Sequence, residues 1–172
     1  MSRASRVLSL SRNRRPVRRF DDRPVPDETL ECVLDCARYA PSAKEAQPWR
    51  FVVVRNPMLR RRLAEAAFNH PHARSAPVLV ACCARVHSHV SGTGRPSHPV
   101  DLAAATQNMV LAAADLGLAT SWLTGFREAA VREALDVPDP VPVISMLALG
   151  YPDGYGSLPE RLDWDEVVAL ER

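Results

Sequence analysis

The sequence predicts an α+β sandwich, and three observations carry that reading. Helical stripes and short β-branched runs mix along the chain without the regular βα repeat of a doubly wound sheet. The chain has 172 residues, 47% hydrophobic and 24% charged, a globular mixture that suits a single domain spanning residues 1–172. Residues 77–84 (PVLVACCA) and 141–149 (VPVISMLAL) are nearly continuous apolar runs of strand length, as buried strands are.

The elements follow in order. Residues 5–13 are expected to form a short helix with Val7, Leu8 and Leu10 on its apolar side. The irregular stretch RRPVRRFDDRPVP comes next. Asp27 is a good N-cap for a helix over 28–39. There Leu30, Val33, Leu34 and Ala37 fall at the i, i+3, i+4, i+7 spacing of a helical stripe. Pro41 ends that helix, and the turn-like segment PSAKEAQPW leads to a β-branched strand at 51–55. Pro57 starts a helix over 57–67, and a loop with His70, Pro71 and His72 follows. After the strand at 77–84, residues 86–100 are rich in Ser, Gly, Pro and His and are expected to form a loop. Asp101 is expected to cap a helix to about Leu116, with Gly117 just past its end. That helix is apolar nearly all round, which places it centrally. A strand at 118–123, a helix at 127–135, the strand at 141–149 and a short end at 164–170 complete the chain.

Composition excludes several classes. The longest apolar stretch, 102–118, contains Thr106, Gln107, Asn108 and Asp115. It is too polar and too short for a membrane span of ~20 residues. The start, MSRASRVLSLSRNRR, has no small-residue cleavage site. It resembles a transit peptide only in its Arg and Ser content, so a cytoplasmic location is expected. Net charge is +2, yet residues 1–20 hold seven Arg and no acid, while the remainder carries 15 basic and 20 acidic groups. Such local positive charge suits a bound anion. A nucleic-acid partner is not expected, because the arginines lack interleaved aromatics before Phe20 and the rest of the chain is acidic. Cys32, Cys36, Cys82 and Cys83 contain no CxxC and read as reduced thiols in apolar roles. His87, His89 and His98 read as solvated side chains of the 86–100 loop, and no metal is expected. No GxSxG, HExxH or Walker motif is present, and Gly92-Thr-Gly94 lacks the context of a dinucleotide fingerprint.

Three segments do carry chemistry. Arg14-Arg15-Pro16-Val17-Arg18-Arg19-Phe20 offers guanidinium forks suited to phosphate oxygens. Ala40-Pro41-Ser42-Ala43-Lys44-Glu45-Ala46-Gln47-Pro48-Trp49 is a proline-fixed loop with Ser42 and Gln47 as polar contacts. In GLATSWLTGF, residues 117–126, a strand runs into a Gly turn where backbone N–H groups can face a planar ligand. LGYP follows at 149–152.

Taken in this order and spacing, the segments resemble the flavin-dependent nitroreductase-like family over residues 7–168. The likeness runs through RRxxRxF, ARxAPSAxxxQPWxFVVV, DLAAATQNMVLAAADLGLATSW and LGYP…R. It implies a three-layer α+β sandwich, with a mainly antiparallel sheet flanked by helices, in an obligate homodimer with FMN at the interface. By that resemblance Arg14, Arg15, Pro16 and Arg18 match positions along the phosphate and pyrimidine side of the flavin. Pro41, Ser42, Ala43 and Glu45 match a segment supplied by the partner subunit. Asn69 and His72 match positions near the ring's polar edge. Leu123, Thr124 and Gly125 match the strand end over the isoalloxazine, and Arg161 is similar to a C-terminal phosphate-binding cation.

Two departures stand out. Pro16 replaces a usual Ser and removes a hydroxyl contact. Glu45 replaces a common Asn and adds a carboxylate near an anionic cofactor, with Lys44 and Arg50 as the cations available to neutralise it. The resemblance implies an NAD(P)H-dependent oxidoreductase working by ping-pong exchange on nitroaromatic, quinone or similar planar acceptors. No catalytic side chain is expected, because the flavin carries the redox step. Arg18 is placed to tune the N1–C2=O edge, and Phe68 or Phe126 to line the acceptor pocket. Alternatives with the same fold are dehalogenation, flavin cleavage, deazaflavin use, or flavin binding without turnover.

Overall fold

The structure is a computed structural model that describes residues 5–85, 89–92 and 94–171. The strand β2 (Val78–Ala84) dictates the architecture, because all seven of its residues are buried. Successive side chains of a strand point to opposite faces. Val78, Val80, Cys82 and Ala84 therefore join one apolar cluster, and Leu79, Ala81 and Cys83 join another. A strand apolar on both faces needs cover on both, and the result is three layers.

The middle layer is a four-stranded sheet of β1 (Trp49–Val54), β2, β3 (Ala119–Leu123) and β4 (Val143–Gly150). Its order is β1-β2-β4-β3 and every pairing is antiparallel. Val80 sits opposite Leu147 in the central pair, whose register shifts between Cys82 and Cys83. One face is covered by α2 (Asp27–Arg38) and α5 (His98–Asp115), through Leu30, Val33, Leu102, Met109 and Val110. The other is covered by α3 (Pro57–Ala66), α4 (Pro71–Ser75) and α6 (Glu128–Leu135), through Leu63, Ala73 and Val131. α1 (Arg6–Asn13) contributes no buried residue and rests on α5, where Arg6 grips Asp115 at 2.7 and 2.6 Å. α7 (Trp164–Val167) lies in the exposed tail. Among the described residues no helix is long and apolar enough to cross a membrane.

The predicted α+β class, the antiparallel sheet and most elements match this structure. Gly117 adopts φ +74 just past α5, the left-handed position that favours glycine. The differences lie at helix starts. Pro26 occupies the N-cap of α2, and Asp27 is the first helical residue, its carboxylate paired with Arg55 instead of capping. α5 begins at His98 with Ser97 as N-cap, so Asp101 lies within the first turn and residues 98–100 are helix rather than loop. The expected loop at His70–His72 contains α4, started by Pro71. Cys82 and Cys83 serve as small apolar residues, and burial pushes the Cys83 thiol up to about 11. Cys32 is exposed and Cys36 half-buried, so those two do not play that part.

Candidate functional site

The arginine segment is locked in place by its neighbours. Val17 and Phe20 are buried, at 1% and 4% exposure, and pin it to the α3/α4/α6 side of the sheet. The Phe20 N–H donates to Ser75 Oγ at 3.0 Å. Asp21 N–H donates to the Tyr151 carbonyl at 2.9 Å, and Asp153 N–H to the Arg19 carbonyl at 3.1 Å. With the apolar residues turned in, Arg15, Arg18 and Arg19 are exposed, while Arg14 and Pro16 are half-buried.

Arg14 is the unusual member. Its Nε is buried and makes no hydrogen bond. Burial first, and the Arg161 guanidinium second, hold its pKa below the ordinary arginine range. Arg161, nearly at the opposite end of the chain, thus lies within electrostatic range of Arg14. Arg15 Nη1 reaches the Gly156 carbonyl at 3.5 Å, on the same tail. Arg14 and Arg15 open onto a cavity of about 370 Å³ between α1, the last turns of α5 and the start of β3, with Asn13, Thr120 and Tyr155 in its walls.

A second group gathers at the far end of β3. Leu123 is buried, while Thr124 and Gly125 are exposed. A Cβ built on Gly125 would meet nothing within 4 Å, so the backbone there is open to a flat ligand. Arg127 ties this turn to the end of α3, its N–H donating to the Ala66 carbonyl at 2.9 Å and its Nη2 to the Glu65 carbonyl at 2.7 Å. Phe68 and Asn69 follow, both at φ 55, with Arg127 over the Phe68 ring at 5.3 Å. His72 is buried and stacks on His70, ring centroids 5.2 Å apart. Burial, then His70, then Arg18 hold its pKa below the ordinary histidine value. Arg18 and His72 are therefore neighbours. Phe68 is 57% exposed and available to a ligand, whereas Phe126 packs against the core.

The loop of Pro41, Ser42, Ala43 and Glu45 stands apart from both groups. Ala43 N–H donates to Asp101 Oδ1 at 3.0 Å, on the first turn of α5. Thirteen residues of helix separate Asp101 from Ala114 in the Arg14 cavity, about 20 Å along α5. The loop also leads into β1, whereas Leu123–Gly125 ends β3 at the opposite edge of the sheet. Three strand spacings make that about 14 Å. One chain therefore sets Arg14 and Arg15 at one cavity, within electrostatic range of Arg161, and ties the β3 end to Phe68 through Arg127, but does not bring the loop to either. Glu45 makes no ion pair among the described residues, with Lys44 and Arg50 included.

Asp101 is the residue that sequence reasoning misplaced. It is 5% exposed, holds the loop through Oδ1, and leaves Oδ2 without a partner. A lone acid opening an apolar helix was the available signal, and it reads equally as a cap. His87 lies outside the described residues. Among the described residues no three metal-binding side chains cluster.

The layered antiparallel sandwich, with Arg14 and Arg15 at the start of β3 and an open glycine turn at its end, places the chain among three-layer α+β proteins. Comparison sharpens this. The sequence profile of the nitroreductase family matches residues 11–77 and 68–151. A Methanothermobacter thermautotrophicus protein whose name joins NADH dehydrogenase and NAD(P)H nitroreductase is 34% identical over 169 residues, covering 94% of this chain and 85% of its own. A nitroreductase family protein of Clostridium difficile 630 superposes with a TM-score of 0.86 at 30% identity, over 95% of this chain and 96% of that one. The NADPH:FMN oxidoreductase of Vibrio harveyi, solved with NAD+, gives a TM-score of 0.88 at 25% identity, over 98% and 78%. The chain belongs to the nitroreductase family.

Proposed function

We propose that this chain is an FMN-dependent oxidoreductase that takes electrons from NAD(P)H and delivers them to planar acceptors such as nitroaromatics and quinones. One observation carries the reading. Arg14 lies within electrostatic range of Arg161, has no acid paired with it among the described residues, and keeps its Nε buried without a hydrogen bond. Confining like charges is costly unless an anion joins them. The phosphate of FMN fits that place, and a guanidinium fork is the group that grips it.

When bound, FMN supplies hydride acceptance from NAD(P)H and electron release to the acceptor, in ping-pong order. The chain's residues bind and orient. Arg14, Arg15 and Arg161 hold the phosphate, and Pro16 stiffens the segment without offering a hydroxyl. Arg18 sets a cation at the pyrimidine edge. His72, held below its ordinary pKa, is neutral at pH 7 and offers one donor and one acceptor beside Asn69. Thr124 and Gly125 leave the face of the ring site open, and Phe68 borders it. Names of relatives favour the same cofactors: the Vibrio harveyi neighbour is an NADPH:FMN oxidoreductase, and the Methanothermobacter relative carries NAD(P)H in its name.

The site is completed by a second copy. Within one chain the Pro41–Glu45 loop lies at the sheet edge away from the β3 end. A homodimer lets that loop reach the partner's flavin. The exposed apolar side chains of the tail, Leu162, Trp164, Val167 and Leu170, suit burial against the same partner.

The test is a visible spectrum of the purified protein after incubation with FMN and gel filtration. About one flavin per subunit is expected, followed by NAD(P)H oxidation on adding a nitroaromatic or quinone. Arg14→Ala is expected to lose FMN at least about tenfold, the loss of one charge-assisted contact. The same change should leave the flavin-free protein no less stable, because it relieves the repulsion from Arg161. A wild-type protein that retains no FMN overturns the reading.

A further inference from the structure

Most arginines with a described partner are neutralised where they stand, as Arg6 is by Asp115, Arg38 by Asp35 and Arg132 by Asp139. The gap between α3 and α4 is different. A cavity of about 340 Å³ there is lined by Arg60, Arg61, Arg74 and Asn69, with Glu65 as its one acid. Glu65 stands 4.0 Å from Arg61, at the outer limit of an ion pair. Arg60 gives Nε to the Arg55 carbonyl at 3.2 Å and Nη1 to the Ala76 carbonyl at 2.5 Å, which fixes its guanidinium while leaving its charge uncompensated. Arg74 makes no side-chain hydrogen bond or ion pair among the described residues, so none of these claims its fork. Arg74 and Asn69 also form a wall shared with a second cavity, of about 400 Å³, which Arg19 enters from the arginine segment.

Three guanidiniums against one loosely paired carboxylate leave this cavity with a net charge of about +2. A compact dianion with several acceptor oxygens is its complement, and a phosphomonoester is that group. Asn69 supplies an amide N–H that can donate to a phosphate oxygen. The place matters as much as the charge. Asn69 lines this cavity and directly follows Phe68, whose ring lies under Arg127, the residue that ties the β3 end to the end of α3. A dinucleotide with its nicotinamide over the β3 end has Asn69 as the bridge to the arginines.

We propose that the α3–α4 cavity is a phosphate subsite that takes the 2′-phosphate of NADPH and so selects NADPH over NADH. This inference rests on the flavin-site reading above for the position of the nicotinamide, but its own ligand chemistry is independent of it.

The experiment is a calorimetric titration of the full-length protein, as purified, with adenosine 2′,5′-bisphosphate and with adenosine 5′-monophosphate. The two probes differ only in the 2′-phosphate. The bisphosphate is expected to bind about tenfold tighter or more, as one charge-assisted contact supplies, and less so at high salt. Arg74→Ala should abolish the difference and Arg74→Lys should keep part of it, which separates lost charge from lost folding. In turnover, Arg74→Ala should raise the ratio of KM for NADPH to KM for NADH about tenfold.

Equal binding of the two nucleotides overturns the proposal. So does a difference that survives Arg74→Ala, which would place the phosphate contact elsewhere. If inorganic phosphate displaces the bisphosphate but the KM ratio stays the same in Arg74→Ala, the cavity takes free phosphate only, and the NADPH assignment falls. Repeating the titration on protein that retains no FMN keeps the two readings apart. Where the wild-type protein retains no FMN the flavin reading has already failed, and discrimination there leaves the phosphate subsite standing by itself.

Discussion

β2 and the loop Ser42–Gln47 are of similar length, and they are held by opposite means. All seven residues of β2 are buried, and both of its edges are paired, to β1 and to β4. No residue of Ser42–Gln47 is buried, and Lys44, Glu45 and Gln47 adopt φ of 53, 53 and 46. Left-handed backbone costs a non-glycine residue roughly 1–2 kcal/mol. The loop meets that cost with a few hydrogen bonds: Ala43 N–H to Asp101 Oδ1 and Gln47 N–H to Ser42 Oγ, both 3.0 Å, and two within its own turn. Stability therefore resides in β2 and shape resides in the loop. A change in one should leave the other nearly untouched, and that separation can be tested.

The largest effect is expected in the strand. Leu79 is fully buried, and Leu79→Ala should cost about 2–5 kcal/mol in denaturant unfolding. Gly150→Ala comes next. An added Cβ at the end of β4 would lie 2.5 Å from Pro77 Cδ and 3.2 Å from Phe20 Cδ1. The proline ring cannot swing aside, so a loss of about 1–3 kcal/mol is expected, with the Phe20 anchor of the arginine segment disturbed. A smaller loss in either variant would mean that the sheet is more plastic than its packing implies.

Asp101→Ala probes the loop. Removing a charged acceptor costs about 1.5–3 kcal/mol, but it also removes a buried carboxylate oxygen that has no partner. A net loss of about 1 kcal/mol is expected. Its clearer signature is faster amide exchange at Ala43 and Gln47, with exchange in β2 unchanged. If β2 accelerates equally, loop and core are one cooperative unit and the comparison fails. Lys44→Gly relieves the left-handed strain at the cost of backbone freedom. It should therefore stabilise by only about 0.5 kcal/mol.

The same contrast explains what the sequence revealed. β2 and β4 were legible because burial on both faces demands an unbroken apolar run. The Gly117 turn was legible because few residues other than glycine enter that backbone region. The arginine segment was legible as a local excess of positive charge. Arg161 was matched to it by family resemblance alone, because its approach to Arg14 depends on the tail folding back past Gly156. α4 was missed for a different reason: five residues, PHARS, are too few to show a helical stripe. Asp101 was misread because a carboxylate in the first turn of a helix looks the same whether it caps its own helix or anchors a distant loop. Local chemistry is written locally, and partnerships between distant segments are not.

The smallest effect separates site from strand by pH. His72 at the site and Cys83 in β2 are both shifted, toward opposite edges of the stability profile. Burial holds the His72 pKa below 6.5 in the folded chain, so the unfolded chain binds the proton more readily. Its contribution is fully present above pH 6.5 and is lost as pH falls through 6.5 toward the folded value. Cys83 runs the other way. Its thiol is raised from 9.0 to about 11 by burial. The unfolded chain therefore gives up that proton first, and stability is lost as pH rises from 9.0 toward 11. The thermal midpoint should form a plateau between these edges. His72→Gln should shrink the acid-side loss without touching the alkaline side, leaving the part due to His98, and Cys83→Ala should shrink the alkaline-side loss, leaving the part due to Cys82. Bound FMN should raise the thermal midpoint across the whole profile, since a ligand that favours the folded state adds stability by mass action. An acid edge indifferent to His72→Gln would remove that residue from the account of the site.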